Sequence, residues 1–278
     1  MLNRLPAASR HLILIVIALL ALFPLAFLLM NSMKSQLEYS TNPLALPTSF
    51  DWDNYQQAFD ITIRPIVNSV IIVIASVLGI VTLAAMSAYA FTFMRFPLRR
   101  VLFVAIFALL LIPGVLTLIP LYLQIKRLDA FGISSNWGGL ILPYIAGGQA
   151  FSIFVLRTFF GGISKDLIDA ARVDGASEWH ILAKIVVPLS IPVLVSVIVI
   201  NVVPIWNDYL LPSLLLSQKY RTLTIALVSL QGNADTHSSD QFGILMAAYV
   251  IACIPLAIVF TFLMRYYVQG LTSGALKL

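Results

Sequence analysis

A single cysteine, Cys253, occurs in the 278 residues, and it sits in an apolar stretch. That excludes disulfides within the chain and cysteine-ligated metal clusters. Charge is equally scarce, with 10% Asp, Glu, Lys and Arg, where soluble domains carry roughly 25%. No Gly-x-x-x-x-Gly-Lys-Ser/Thr segment is present, so the chain has no phosphate loop with which to bind ATP. The three histidines, His11, His180 and His237, lie in separate loops or at the edges of apolar runs. They offer no catalytic or metal-binding cluster. The net charge of +5 comes without a basic run of the kind that binds nucleic acid.

Apolar residues fill this space. They make up 60% of the chain, with a mean hydropathy of +0.96, which places it in a bilayer. Six runs reach the roughly 20 residues that span the hydrocarbon core as a helix. They are Leu12–Met30, Ile66–Phe93, Val101–Leu123, Trp137–Phe159, Ile185–Trp206 and Phe242–Met264. None carries an ionisable side chain near its centre. Arg4 and Arg10 before the first run resemble the start of a secretory signal, but the run exceeds the 7–15 apolar residues of a cleavable one and reads as an uncleaved first span. Pro113, Pro143, Pro192 and Pro255 fall inside or near the ends of runs, where neighbouring helices make a kink the expectation and not a termination. The fold class is therefore all-α integral membrane, with six transmembrane helices.

Counting Lys and Arg on alternate sides gives eleven with the two termini and the second and fourth loops, against six in the other loops. The positive-inside rule puts both termini in the cytoplasm. Two long polar segments, Asn31–Pro65 and Asn207–Gln241, are then external. Residues 1–65 read as an N-terminal tail, first span and external loop. Residues 66–278 read as a five-helix core with a cytoplasmic loop at 161–184 and a tail at 265–278.

That loop is the most informative stretch. Lys165 to Val173 predicts a first short helix, Gly175 supplies a left-handed residue to end it, and Ser177 caps a second, with Glu178 in its first turn. The result is a helix-turn-helix at the membrane face, with Leu167, Ala170 and Ala171 on one side of its first helix.

Asp169-Ala170-Ala171, Asp174-Gly175-Ala176-Ser177 and Val187-Pro188-Leu189 with Pro192 resemble the Glu-Ala-Ala motif of ABC import permeases. Asp169 replaces the usual Glu, and Ser164 a frequent Pro. Asn68-Ser69, Ala88-Tyr89-Ala90, Ile119-Pro120-Leu121-Tyr122, Leu156-Arg157-Thr158-Phe159-Phe160, Trp206-Asn207-Asp208 and Gly270-Leu271-Thr272-Ser273-Gly274-Ala275-Leu276-Lys277 are similar to the second permease subunit of carbohydrate importers of the maltose type. The resemblance covers nearly the whole chain and implies the fold of an ABC type I importer permease.

It further implies that Asp169, Ala170, Ala171, Asp174, Gly175 and Ala176 couple the spans to a cytoplasmic ATPase, with Gly270, Gly274 and Lys277 of the tail also contacting it. The implied partners are a second permease subunit, two ATPase subunits that hold ATP and Mg, an extracytoplasmic solute-binding protein, and membrane lipid. This chain would carry no cofactor. The expected location is a bacterial or archaeal cytoplasmic membrane. Asn233, Ala234 and Asp235 fall in the loop with which the family meets its binding protein.

Gln149 and Asn201 are the polar residues best placed within spans, fitting either a translocation pathway or interhelical hydrogen bonds. A membrane enzyme lacks its catalytic groups here, a secondary transporter lacks intramembrane acids and visible repeats, and a channel lacks a reason for the motif set. A non-sugar solute is the alternative within the ABC class.

Overall fold

The computed structural model describes residues 7–127, 136–236 and 241–275, among which there is no strand. Helix α1 (Ala7–Ser32) leads through α2 (Gln36–Thr41) to the 41-residue α3 (Asp53–Phe93). Then come α4 (Arg99–Ala108) with a 3₁₀ turn at Leu109–Leu111, α5 (Gly114–Arg127), α6 (Gly138–Phe160), α7 (Lys165–Val173) and α8 (Glu178–Ile181). A π turn at Leu182–Val186 joins α8 to α9 (Val187–Leu189). The chain continues as α10 (Ile191–Asn207), α11 (Leu210–Leu215), α12 (Leu223–Thr236) and α13 (Phe242–Ala275).

Among the described residues four helices, α1, α3, α6 and α13, are long and apolar enough to cross a bilayer unbroken. Two further apolar stretches are bent pairs, with a 102° break between Leu111 and Gly114 and an 82° break between Leu189 and Ile191. Six spans result if each bent pair counts as one. At Pro113 the expected kink is a termination. Ile112 is extended, at φ −87° and ψ 114°, as a residue before proline prefers, and the proline itself has no N–H to continue the ladder. At the second break Ser190 leaves the helical region at φ −107° and ψ 10°, and Pro192 opens the next helix. Pro143 and Pro255 lie inside continuous helices, as expected.

The two polar loops are shorter than their composition suggests. Helix α3 begins at Asp53, thirteen residues before the apolar run, because Asn54, Ala58 and Thr62 recur at helical spacing and are all buried. The 207–241 segment holds α11, a 3₁₀ turn at Gln218–Tyr220 and α12.

The chain forms two compact units. One comprises Met1–Arg64 and Ala226–Leu256, the other Pro65–Ile225 and Ala257–Leu278. In the first, the fully buried Lys34 donates from Nζ to the carbonyls of Asn42 and Pro43 at 3.2 and 3.0 Å. Asn54 Nδ2 donates to the carbonyls of Ser32 and Lys34, and the Tyr39 ring stacks on Phe242 at 5.1 Å.

Among the described residues of the second unit, two apolar clusters bear on the site. One joins Ala84, Ala88 and Tyr89 of α3 to Leu156 and Phe160 of α6, Ile168 of α7 and Val197 of α10. The other gathers Ile72, Ile125, Leu140, Leu211 and Leu215. Here Asn68-Ser69 acquires a physical role. Asn68 Nδ2 donates to the carbonyls of Lys219 and Arg221, its Oδ1 accepts from Trp137 Nε1, and Ser69 Oγ accepts from the Leu223 N–H. Two polar side chains in an apolar helix thus pin the chain between α11 and α12.

Candidate functional site

Helix α7 runs from Lys165 to Val173, as its composition predicts. Gly175 follows at φ +81°, and the Ala176 N–H reaches back to the Ala171 carbonyl at 3.0 Å, closing the turn that a left-handed residue permits. Ser177 Oγ then accepts from the His180 N–H and starts α8. The second element of the hairpin is not a free short helix. It is one turn that runs through the π turn to Leu189, so the hairpin is continuous with the bend into α10.

The faces of α7 divide differently from expectation. Ile168 is buried in the cluster with α3 and α6, and Ala171 and Ala176 pack against it. Asp169, Ala170, Asp174 and Gly175 face out. So do Leu167, Val173 and Trp179, at 44%, 88% and 61% exposure. Exposed apolar side chains of this size beside a polar rim mark a contact surface. Val173 and Trp179 escape a motif reading because the motif places no weight on them.

A polar network behind this surface is also invisible in the sequence, since it joins Asp169, Arg172 and Glu178 of the hairpin to Tyr89 and Phe93 of α3, about eighty to ninety positions away. Arg172 Nε and Nη2 donate to the two Glu178 carboxylate oxygens at 2.8 and 3.1 Å, and Nη1 to Asp169 Oδ1 at 3.0 Å. Nη2 also meets the Phe93 carbonyl at the end of α3 at 3.3 Å, and the Tyr89 hydroxyl of α3 donates to Glu178 Oε2. The Arg172 hydrogen bond holds the Glu178 carboxyl below the usual range, and the same bond raises Arg172. Both are therefore charged at neutral pH. One guanidinium thus ties α7, α8 and the end of α3 together.

Between α6 and α10 lies a cavity of about 370 Å³, lined by Tyr144, Gly147, Gly148, Asn201, Pro204 and Asp208 among others. The Tyr144 hydroxyl donates to Asp208 Oδ2 at 2.7 Å. Asn201 Nδ2 is committed to Ser152 Oγ and the Val197 carbonyl. The helices meet closely just beside it, since a Cβ on Gly148 would lie 2.6 Å from Ile80 Cδ1 and 2.8 Å from Asn201 Oδ1. Asn201 is therefore both an interhelical bond and a cavity wall. Gln149 is not in the wall, and its Nε2 donates to the carbonyls of Ile145 and Ile80 at 3.0 and 3.4 Å. Gly270 and Gly274 lie on the α13 backbone and Asn233, Ala234 and Asp235 on that of α12, while Lys277 is outside the described residues. Among the described residues no group of His, Cys, Asp or Glu gathers to hold a metal ion.

The family described as the inner membrane component of binding-protein-dependent transport systems matches residues 77–273. The chain is 30% identical over 273 residues to a diacetylchitobiose uptake system permease of Streptomyces coelicolor, covering 98% of this chain and 89% of that protein. It is 32% identical over 260 residues to a trehalose transport system permease of Mycobacterium tuberculosis, covering 92% and 93%. In fold it is similar to a chain of a bacterial ABC transporter that imports the acidic polysaccharide alginate, with a TM-score of 0.81 and 24% identity over 94% of this chain and 95% of that one. The family match and these relatives together show that the chain belongs to the inner membrane components of binding-protein-dependent transport systems, as a non-enzymatic permease of an ABC importer.

Proposed function

We propose that this chain is one of two permease subunits of a carbohydrate importer, with both termini and the 161–184 loop in the cytoplasm. The hairpin of α7, Gly175 and α8 docks on one of two ATPase subunits, which bind ATP and Mg. The observation that carries this reading is the division of the hairpin. Its outer side presents Leu167, Ala170, Val173 and Trp179, and its inner side is fastened to α3 by Arg172, Glu178 and Tyr89. A load on the outer side is passed to a span that reaches through the membrane, which is what a two-state element biased by ATP requires.

Asp169, Ala170, Asp174 and Gly175 are the contact residues in this reading, with Ala171 and Ala176 supporting them from the packed side. Gly270, Gly274 and Lys277 add a second contact through the tail. Asn233, Ala234 and Asp235 meet the extracytoplasmic solute-binding protein. Asn201, Tyr144 and Asp208 border the solute path, with Gln149 fixing α6 beside it. The uptake systems named among the relatives support a sugar as the solute, and hydroxyl, amide and carboxylate groups on a cavity wall without a cation suit a hydroxylated molecule that is not an anion. The experiment is uptake by the whole reconstituted transporter with its binding protein. ATP-dependent entry of an oligosaccharide is expected. Entry of an amino acid or an inorganic anion, and of no sugar, would contradict the reading.

A further inference from the structure

The polar cavity at the end of α3 shares no lining residue with the cavity between α6 and α10. It measures about 160 Å³ and is lined by Thr92, Phe93, Arg95, Arg99, Lys165, Ile168, Asp169 and Arg172. Two of its four cations are built into the fold. Arg99 donates to the carbonyls of Met94 and Thr92 at 3.0 and 3.3 Å, and Arg172 to that of Phe93 at 3.3 Å. Their guanidinium groups satisfy carbonyls that the last turn of α3 leaves without helical partners. Arg172 is balanced by Asp169 and Glu178. Arg99, Arg95 and Lys165 form no ion pair with any described residue. The cavity thus carries a surplus of positive charge, in which Arg99 is fixed by the fold and Arg95 and Lys165 stand exposed beside it.

We propose that this cavity binds the phosphate of an anionic phospholipid. The surroundings favour a lipid over a protein side chain as the source of the anion. The cavity lies where the apolar run of α3 ends, and Arg99, on its wall, opens α4, whose Val101, Leu102 and Val104 are exposed and apolar. A molecule with a charged head and a hydrocarbon tail matches both parts. Basic pockets between helix ends at the membrane surface hold phospholipid head groups in this way. Because α7 supplies Lys165, Asp169 and Arg172 to the wall, a phosphate there bridges the end of α3 to the hairpin, so that lipid composition bears on the hairpin's position. The inference rests on the reading of the chain as a membrane-spanning permease and is independent of its solute.

The test uses the assembled transporter, without solute or ATP turnover, in bilayer discs of phosphatidylglycerol or phosphatidylcholine, with retained lipid counted by native mass spectrometry. Wild type should retain phosphatidylglycerol and not phosphatidylcholine. The double variant Arg95→Gln, Lys165→Gln should retain it on the order of tenfold less, while Lys219→Gln, distant in the fold, should match wild type. Subunit stoichiometry and melting temperature establish that the double variant is assembled. Equal retention of both lipids, or unchanged retention in the assembled double variant, would overturn the proposal. So would displacement of the lipid effect by millimolar inorganic phosphate, which would mark a free-anion site. Loss of the ATPase subunit from the double variant with lipid retention intact would assign the cavity to an acidic side chain of that partner and would equally overturn it.

Discussion

Gly175 and Arg172 act on the same hairpin through different physics, and substitutions separate them. A Cβ on Gly175 would meet nothing within 4 Å, so the cost of Gly175→Val is conformational and not steric. At φ +81° a residue with a Cβ costs on the order of 1–2 kcal/mol, more if β-branched. The expected outcome is ATP hydrolysis that persists in the assembled complex while uptake per ATP falls severalfold, read in the same vesicles. Unchanged uptake per ATP would make this an ordinary turn. Glu178→Ala removes the acceptor shared by Arg172 and Tyr89. The ion pair, with side-chain exposures of 33% and 42%, should contribute about 1 kcal/mol or less, and the buried Tyr89 hydroxyl left without its acceptor costs about 1–3 kcal/mol more, so the melting temperature should fall modestly. Coupling should weaken as well, because α8 loses its bond to Tyr89 of α3 and Arg172 keeps only its bond to the Phe93 carbonyl there. A large melting shift with coupling intact would make the network merely structural. Since Arg172 lowers the Glu178 carboxyl in the folded state, the contribution of the pair is full above the unfolded carboxyl range and lost only as pH falls through the lowered one. Uptake per ATP should therefore be insensitive to this group between about pH 8 and about pH 6.

Among the elements, α6 and α10 carry a paired prediction about the cavity between them. Gly147 lines it and a Cβ there would meet nothing within 4 Å, so Gly147→Leu should leave assembly and melting unchanged while obstructing uptake. Gly148→Ala would push against Ile80 and Asn201 and should destabilise by about 1–3 kcal/mol, read as a lower melting temperature. Unobstructed uptake in Gly147→Leu would remove the cavity from the solute path. At this scale the sequence is legible where periodicity and local chemistry decide the outcome. The bounds of α7, the left-handed Gly175 and the Ser177 cap all follow from neighbouring residues. The break at Pro113 is not legible in the sequence, because whether a membrane proline kinks or ends a helix depends on partners elsewhere in the fold. The first turns of α3 were hidden because Asn54 and Thr62 are buried polar residues that a hydropathy window scores as loop. Tyr89 and Glu178, 89 positions apart, meet only once α3 and the hairpin pack, and no local pattern announces such a pair.

For the whole molecule, the scarcity of charge, the absence of a phosphate loop and the match over residues 77–273 agree on a permease that borrows its energy from a partner. The purified chain should bind no ATP by calorimetry until the ATPase subunit is added, and stoichiometric tight binding to the chain alone would contradict the assignment. In the proposed assembly the outer face of the α7 hairpin lies in the cytoplasm against that ATPase. Single cysteines at positions 53 and 170 in a Cys253→Ser background test it most directly, by labelling with a membrane-impermeant maleimide in intact cells and cross-linking in inverted vesicles. Position 53 should be labelled from outside, and position 170 should be protected there and cross-link to the ATPase subunit. Labelling of position 170 from outside would contradict it.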